Sequence, residues 1–243
     1  MNAIQMVNEL LSRFALDEVG SFGGTGSDSL KALRKLNLAL RQIHSEHPFK
    51  WLHKNSVGTI TAVNGTATYT LASDVKQLLI GKHTYQNGGW LHVVDRQTLE
   101  TYVPKRSDSS QRNTPAFMIP FGRTQSGSNW LWQVELYPVP DSNFSGQMVD
   151  YYYLFTPSDL SQATDVPIMP EDFHYVAVDY AERLWRRGPL RVGGDQSQLD
   201  LYTAIDRECN KGLNRLIASD SVGGMSEASW EVSRNELGVV SLE

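Results

Sequence analysis

Residues 28–80 read DSLKALRKLNLALRQIHSEHPFKWLHKNSVGTITAVNGTATYTLASDVKQLLI, a stretch that joins a helix, an aromatic bend and a β region. In its first half the apolar residues recur at helical spacing, at Leu30, Leu33, Leu36, Leu40 and Ile43. This spacing predicts an amphipathic helix over about Ser29–His44, because these side chains share one face. Ser27 or Asp28 can cap the N-terminus of the helix, and Pro48 ends it.

The second half of the same stretch predicts a β-hairpin. Val57–Val63 and Thr66–Leu71 are rich in β-branched residues and flank the pair Asn64-Gly65. An Asn-Gly pair favours a two-residue type I′ turn, because both central residues of that turn need a positive φ. In the second strand apolar and threonine side chains alternate, so one face is expected in the core and the other in solvent.

Further elements are expected on both sides of this stretch. An N-terminal helix is predicted over residues 3–15, and the glycine-rich residues 20–27 are predicted as a linker. A short helix is predicted at residues 95–102. Later strands are predicted at residues 75–81, 90–94, 116–121, 130–137 and 148–155. The polar stretches 105–114 and 122–129 are predicted as exposed loops.

Two helices are predicted near the C-terminus. The first follows Pro170, a residue that suits the opening turn of a helix, and ends near Gly188. The second covers about residues 196–218 and carries an apolar stripe of Leu199, Tyr202, Ile205, Cys209, Leu213 and Leu216. No helical or strand period continues over residues 219–243, so this segment is predicted to be disordered or ordered by a partner.

The order of these elements predicts an α+β fold. Helices from the two ends of the chain are expected to form a helical bundle, with a mainly antiparallel β domain inserted between them. We expect the first half of the helical part at residues 1–50 and the β-rich insertion at residues 51–160. The second half of the helical part is expected at residues 161–218, followed by an extended C-terminal arm at residues 219–243.

The composition is that of a globular protein. Of the 243 residues, 40% are hydrophobic and 20% are charged, which is enough for a sizeable core. The formal net charge is −5, and no block of Lys or Arg forms the basic face of a sequence-reading DNA-binding protein. We find neither a signal peptide nor an apolar run that could span a membrane. We therefore expect a protein that is made and used in a reducing cytoplasm, or that becomes part of a particle assembled there, with no membrane partner.

Two features are candidate interfaces. The densest basic patch either complements the C-terminus of its helix or contacts an acidic neighbouring subunit; it consists of Arg183, Arg186, Arg187 and Arg191. In the C-terminal segment Trp230 stands in an otherwise polar sequence. A lone Trp in such a setting is typical of an interface anchor.

The sequence offers little for catalysis or metal binding. His44 and His47 lie three residues apart at a helix end, but no Cys cluster accompanies them, so helix capping is the preferred interpretation. There is no Gly-x-Ser-x-Gly nucleophile motif, and the single cysteine, Cys209, falls on an apolar helix face where a buried thiol is expected. We therefore expect no catalytic residue, no metal and no cofactor. An enzyme that uses His44 or His47 is the least favoured alternative.

The aromatic residues of the predicted strands have two interpretations. Trp130, Trp132 and Tyr151–Tyr153 either form an exposed platform for sugars or bases, or belong to the core as cross-strand pairs. Core packing is the preferred interpretation, because large aromatics that alternate along strands are more often buried. The platform leaves a carbohydrate- or cell-surface-binding β module as an alternative function.

In order and character, these motifs resemble a known family, the head–tail adaptor (connector) proteins of tailed bacteriophages. The segments ALRKLNLALRQI, PFKWL and VGTITAVNGTATYTLASDVKQLL precede LWQVELYPVPD, MVDYYYLFTPSDL and PEDFHYVAVDYAERLWRRG, over about residues 28–218. The resemblance implies a structural, non-enzymatic protein of the virion neck. It also implies a ring of typically about twelve copies between the portal protein and the next tail or nozzle protein. Double-stranded DNA would pass non-specifically through the lumen of that ring.

The resemblance also suggests a role for the C-terminal arm. In this family a terminal extension often reaches onto the portal or a neighbouring subunit. Residues 219–243 match that role in position, with Trp230 and the apolar residues Leu237, Val239, Val240 and Leu242. An acidic or neutral lumen would suit the passage of DNA, because basic residues would hold its phosphates.

Overall fold

The fold combines a helical unit with a β-rich unit. The computed structural model describes residues 1–24, 26–79, 82–85, 89–102, 112–127, 129–190 and 196–222. One compact unit comprises Met1–Trp51 together with Ser158–Glu243, and the other comprises Leu52–Pro157. The predicted α+β class is confirmed, because helices and mainly antiparallel strands both contribute.

The α-helices of the described residues are α1 (Ala3–Ser12), α2 (Asp28–Glu46), α3 (Arg96–Tyr102), α4 (His174–Leu190) and α5 (Gln196–Val222). A capping box opens α1, in which the Asn2 side chain accepts from the Gln5 N–H at 3.0 Å and the Gln5 side chain accepts from the Asn2 N–H at 2.9 Å. The predicted cap of α2 is confirmed at Ser27, whose hydroxyl accepts from the Leu30 N–H at 3.3 Å.

Helix α4 contacts the three other helices of the helical unit, namely α1, α2 and α5, and α1 also contacts α2. Between α4 and α5 the approach is close, since a Cβ on Gly212 would lie only 3.1 Å from Val176. The fully buried apolar residues of this unit include Leu10, Leu36, Ile43, Val176, Ala181 and Leu216. Burial of each such leucine or isoleucine contributes about 2 kcal/mol, so this shared interior holds the four helices together.

The aromatic bend after α2 is a short 3₁₀ helix at Lys50–Leu52. Phe49, which is fully buried, stacks on Trp51 with 4.2 Å between the ring centres. Offset stacking of this kind adds about 1 kcal/mol beyond area burial, so the bend is a packed element.

The strands of the β-rich unit are β1 (Gly58–Thr61), β2 (Thr68–Thr70), β3 (Val75–Leu78), β4 (Lys82–Tyr85), β5 (Trp90–Val93), β6 (Arg112–Asn113), β7 (Phe117–Ser126), β8 (Asn129–Tyr137), β9 (Val139–Pro140), β10 (Met148–Tyr151) and β11 (Tyr153–Phe155). Seven of them form one sheet in the order β1-β10-β4-β5-β7-β8-β2, antiparallel except for the β5–β7 pair. Two smaller sheets pair β11 with β3 in antiparallel and β6 with β9 in parallel orientation.

The predicted hairpin at Asn64-Gly65 is wrong. β1 pairs with β10 and β2 pairs with β8, which places β1 and β2 at opposite edges of the seven-stranded sheet. Gly65 takes a positive φ of +74° but Asn64 does not, so the type I′ turn is not formed. The observed pairing sets Ile60 opposite the fully buried Val149 and Tyr69 opposite the fully buried Val134. Both strands thus pack against core residues that are distant in the chain.

The predicted loop at residues 122–129 is also wrong over most of its length. β7 and β8 form a long hairpin, in which Gly122 to Ser126 pair with Gln133 to Asn129. The register shifts between Pro120 and Gly122, a β-bulge that accommodates the proline within a strand. The predicted strand at residues 148–155 is divided at Tyr152 into β10 and β11, which belong to different sheets.

Candidate assembly interface

Arg186 lies on α4 and is engaged within the helical unit. Its Nε donates to Glu182 Oε1 at 2.8 Å, and its Cζ lies 4.5 Å from the centre of the Phe14 ring. Arg187 is exposed, and Arg191 lies outside the described residues. Arg186 therefore has a structural role of its own, and an intersubunit role for these three arginines stays a prediction.

Arg13 extends this cluster from the end of α1. Its Nη1 donates to Asp179 Oδ1 at 2.6 Å and to Glu182 Oε2 at 3.0 Å. Burial alone would lower the pKa of Arg13, but the two carboxylates raise it, so the guanidinium stays charged. Phe14 stacks on Trp185 with 4.8 Å between ring centres. These contacts hold the end of α1 against α4. The residues involved are more than 160 positions apart in the chain, so the sequence alone did not indicate that they pair.

Arg183, the first residue of the basic patch, is not at a helix end, because α4 continues to Leu190. Its Nη1 donates to Asp206 Oδ1 at 2.9 Å, and its Cζ lies 4.3 Å from the centre of the Tyr180 ring. This arginine joins α4 to α5 by an ion pair and a cation–π contact.

The structure places the two candidate histidines in different surroundings. His44 is buried, whereas the His47 Nε2 lies 3.2 Å from Asp220 Oδ2. Asp220 Oδ1 accepts from the Lys50 N–H at 3.1 Å, and the Lys50 ammonium donates to the Asp220 carbonyl. Among the described residues no group of three or more His, Cys, Asp or Glu is arranged to hold a metal ion. Asp220 instead ties the end of α5 to the segment that follows α2.

The last helix extends beyond its predicted end at residue 218. α5 continues to Val222, and Asp220 is only 8% exposed. The remaining candidate residues of the C-terminal arm lie outside the described residues, and their role stays a prediction; they are Trp230, Leu237, Val239, Val240 and Leu242.

Cys209 is buried, as its place on the apolar helix face predicted. Burial raises the pKa of its thiol to about 12, so the thiol stays protonated at neutral pH. The thiolate is the reactive form of cysteine, so this side chain is chemically inert in the folded protein.

The aromatic strand residues are divided between core and surface. Tyr151 and Tyr153 are buried, which confirms core packing for these two residues. The Tyr153 hydroxyl donates to Asp74 at 3.1 Å, and burial together with this carboxylate raises the pKa of Tyr153 to about 12. Trp130 is 61% exposed and Tyr152 is 40% exposed, so these two are surface residues.

Large apolar side chains are also exposed on the helical unit. Leu38 of α2 is 46% exposed, and Leu199 and Leu201 of α5 are 48% and 46% exposed. In the β-rich unit Trp130 lies near the tip of the β7–β8 hairpin. These exposed apolar residues are candidate points of contact with another protein.

The chain belongs to the SU10 adaptor protein family, whose model matches residues 1–224. The predicted resemblance to phage head–tail adaptors is thereby confirmed at the level of the family, and the role is that of a structural phage adaptor of the virion.

No match to a curated protein was found. Among the described residues no helix is both long and apolar enough to cross a membrane.

Proposed function

We propose that this chain is one subunit of a head-to-tail adaptor ring located in the virion neck between the portal protein and the tail. The observation that carries the proposal is the match to the SU10 adaptor family over residues 1–224, which includes both units of the fold. About twelve copies close the ring on the portal, and the opposite side receives the next tail or nozzle protein.

A passive role agrees with the chemistry of the described residues. Cys209 is buried and protonated, and His47 is held by Asp220. The clustered arginines Arg13, Arg183 and Arg186 all have carboxylate partners within the helical unit. We therefore propose a protein without catalytic activity, metal or cofactor, whose function is to hold other proteins in place.

The charge of the chain suits a DNA channel. The net charge is −5, so a ring of identical copies carries a large excess of negative charge. Basic residues bind the phosphates of DNA by releasing counterions, and an acidic or neutral lumen avoids that retention. We propose that double-stranded DNA passes through the lumen without sequence-specific contact, in a neck assembled in the host cytoplasm.

One observation favours the alternative of a carbohydrate- or cell-surface-binding β module. Trp130 presents a largely exposed indole on β8, and exposed indoles can stack on sugars. Under this alternative, glycans would quench Trp fluorescence, and Trp130→Ala would abolish the quenching.

Co-sedimentation with the portal ring of the same virus tests the proposal. We expect the protein to sediment with the portal at a fixed, saturable ratio and its Trp fluorescence to be unchanged by glycans. If folded protein stays in the supernatant with intact portal while glycans quench its fluorescence, the adaptor proposal is wrong.

A further inference from the structure

Two exposed helix faces of the helical unit are complementary in chemistry. We propose that the outer face of α2 in one copy docks on the first half of α5 in the next copy. The inference rests on the proposed function, because it assigns the contact between neighbouring subunits of the ring.

The outer face of α2 is basic with an apolar centre. Exposed residues recur every three or four positions along it, at Lys31, Arg34, Leu38, Arg41 and Ser45. Lys31 pairs with Asp28 at 2.9 Å, and Arg41 pairs with Asp159. Between these cations Leu38 leaves 46% of its surface in solvent. The opposite face of α2 is the one that carries the buried residues Leu36, Ala39 and Ile43, where the helix meets α1 and α4.

The first half of α5 is far less buried than the second. From Gln196 to Ala204 every residue is exposed except Tyr202, which is half-buried. The apolar stripe of this helix runs through Leu199, Tyr202, Ile205, Cys209, Leu213 and Leu216. Cys209 and Leu216 are fully buried, whereas Leu199 is 48% exposed. The stripe that forms core at one end of the helix is thus uncovered at the other.

The exposed part of the apolar stripe on α5 is a candidate contact surface for another helix. Most of the stability of a protein helix comes from packing of its apolar face against a neighbouring element. On α5 the carboxylate of Asp200 lies in sequence between the exposed Leu199 and Leu201. On α2 the guanidinium groups of Arg34 and Arg41 flank Leu38.

A second copy of this chain supplies that partner. Contact between the two faces would bring leucine against leucine and Arg34 against Asp200. Because the contact joins two different faces of the same unit, it can repeat head to tail, and this repetition generates a ring when the rotation closes. Opposite charges at the margin of such a contact fix its register.

Disulfide cross-linking tests the contact on portal-bound protein. The chain carries Leu38→Cys together with Leu199→Cys, and the natural Cys209 is buried and does not react. Mild oxidation is expected to give a ladder of cross-linked multimers, whereas either single variant gives none. The matched control pairs Leu38→Cys with Val166→Cys, a 63% exposed position of the same unit, and is expected to give no ladder.

The outcomes separate this contact from the proposed function. If electron microscopy shows rings on the portal but the test pair cross-links no more than the control pair, the α2–α5 contact is wrong and the adaptor role stands. Dimers from either single variant would show a two-fold symmetric contact and also overturn it. If no ring forms on an intact portal, the proposed function is wrong, and the α2–α5 contact that depends on it is wrong as well.

Charge reversal gives an independent measurement. Arg34→Glu and Asp200→Lys are each expected to raise the protein concentration needed for half-maximal ring formation by about two- to fivefold, as exposed ion pairs do. Combining both reversals is expected to restore the natural value in part. Equal loss in the single and double variants would contradict a direct Arg34–Asp200 pairing.

Discussion

At the scale of single residues, Tyr153 and Asp74 form a polar contact that reaches into the β-rich core. The Tyr153 hydroxyl donates to Asp74, whose other oxygen accepts from the Lys54 ammonium at 2.9 Å. Tyr153 is only 4% exposed. Its buried hydroxyl therefore needs a hydrogen-bond partner within the protein, and Asp74 provides it. Such a contact fixes β11 against the segment that precedes β3.

Replacing Tyr153 by Phe is expected to lower the free energy of unfolding by about 1 kcal/mol, because one hydrogen bond to a charged group is lost while the ring stays. Urea denaturation measures the change. Tyr175→Phe is the control, since Tyr175 is 38% exposed, and it is expected to change the stability by less than about 0.5 kcal/mol. Equal effects of the two substitutions would contradict a structural role for the Tyr153 hydroxyl.

His174 makes the stability of the helical unit depend on pH. Its side chain is 1% exposed and its Nε2 lies 3.1 Å from the Met169 carbonyl. Burial lowers the pKa of His174 below its usual value, because desolvation disfavours the charged ring. The unfolded chain then binds more protons than the folded one, so this contribution to stability is lost as the pH falls below about 6.5.

We therefore expect the urea midpoint to fall between pH 7.5 and pH 5. In His174→Gln this part of the fall is expected to disappear, with each unit of pKa difference corresponding to about 1.4 kcal/mol. The same pH dependence in both proteins would show that other groups cause it.

At the scale of elements, local signals predicted the helices well and strand pairing badly. The extent of α2 follows from its apolar period and from the Ser27 cap, which lie within the segment itself. The partner of β1 lies about ninety residues further along the chain, so the Asn64-Gly65 signal could not reveal it. The ion pairs of Arg13 and the contact of Asp220 with Lys50 are long-range in the same way.

The pairing of β1 with β10 has a steric signature at Gly58. A Cβ at this position would lie 2.2 Å from Cζ of Tyr151, a buried residue whose hydroxyl oxygen accepts from the Ala72 N–H at 3.0 Å. Gly58→Ala is expected to cost about 1–3 kcal/mol of stability by forcing the ring to move. Gly122→Ala is the control, because nothing lies within 4 Å of its Cβ.

A second substitution distinguishes this clash from a general loss of strand flexibility. Tyr151→Leu shortens the side chain that meets the added methyl group. If the clash is the cause, Gly58→Ala costs less in the Tyr151→Leu background than in the natural protein, as a double-mutant cycle in thermal denaturation would show. Strict additivity would contradict the β1–β10 register.

At the scale of the whole molecule, the end of α5 separates the body from the proposed arm. A chain that ends at Val222 keeps Asp220 and its contacts with Lys50 and His47. Its free energy of unfolding is expected to lie within about 0.5 kcal/mol of that of the full chain. Because the arm residues are gone, it is expected to sediment more weakly with the portal, and Trp230→Ala is expected to reproduce part of that loss.

A chain that ends at Ala218 is the matched control. It lacks Asp220, so it is expected to lose stability by about 1–3 kcal/mol through the loss of a buried hydrogen-bonding group. Undiminished portal binding by the chain that ends at Val222 would count against an arm role for residues 223–243.

The central claim is that this protein forms a ring on the portal, and electron microscopy of the protein mixed with the portal ring of its virus tests it most directly. The account predicts a second ring of density stacked coaxially on one side of the portal, with the helical units of neighbouring copies in contact. Portal rings without added density, in the presence of folded protein at saturating concentration, would contradict it.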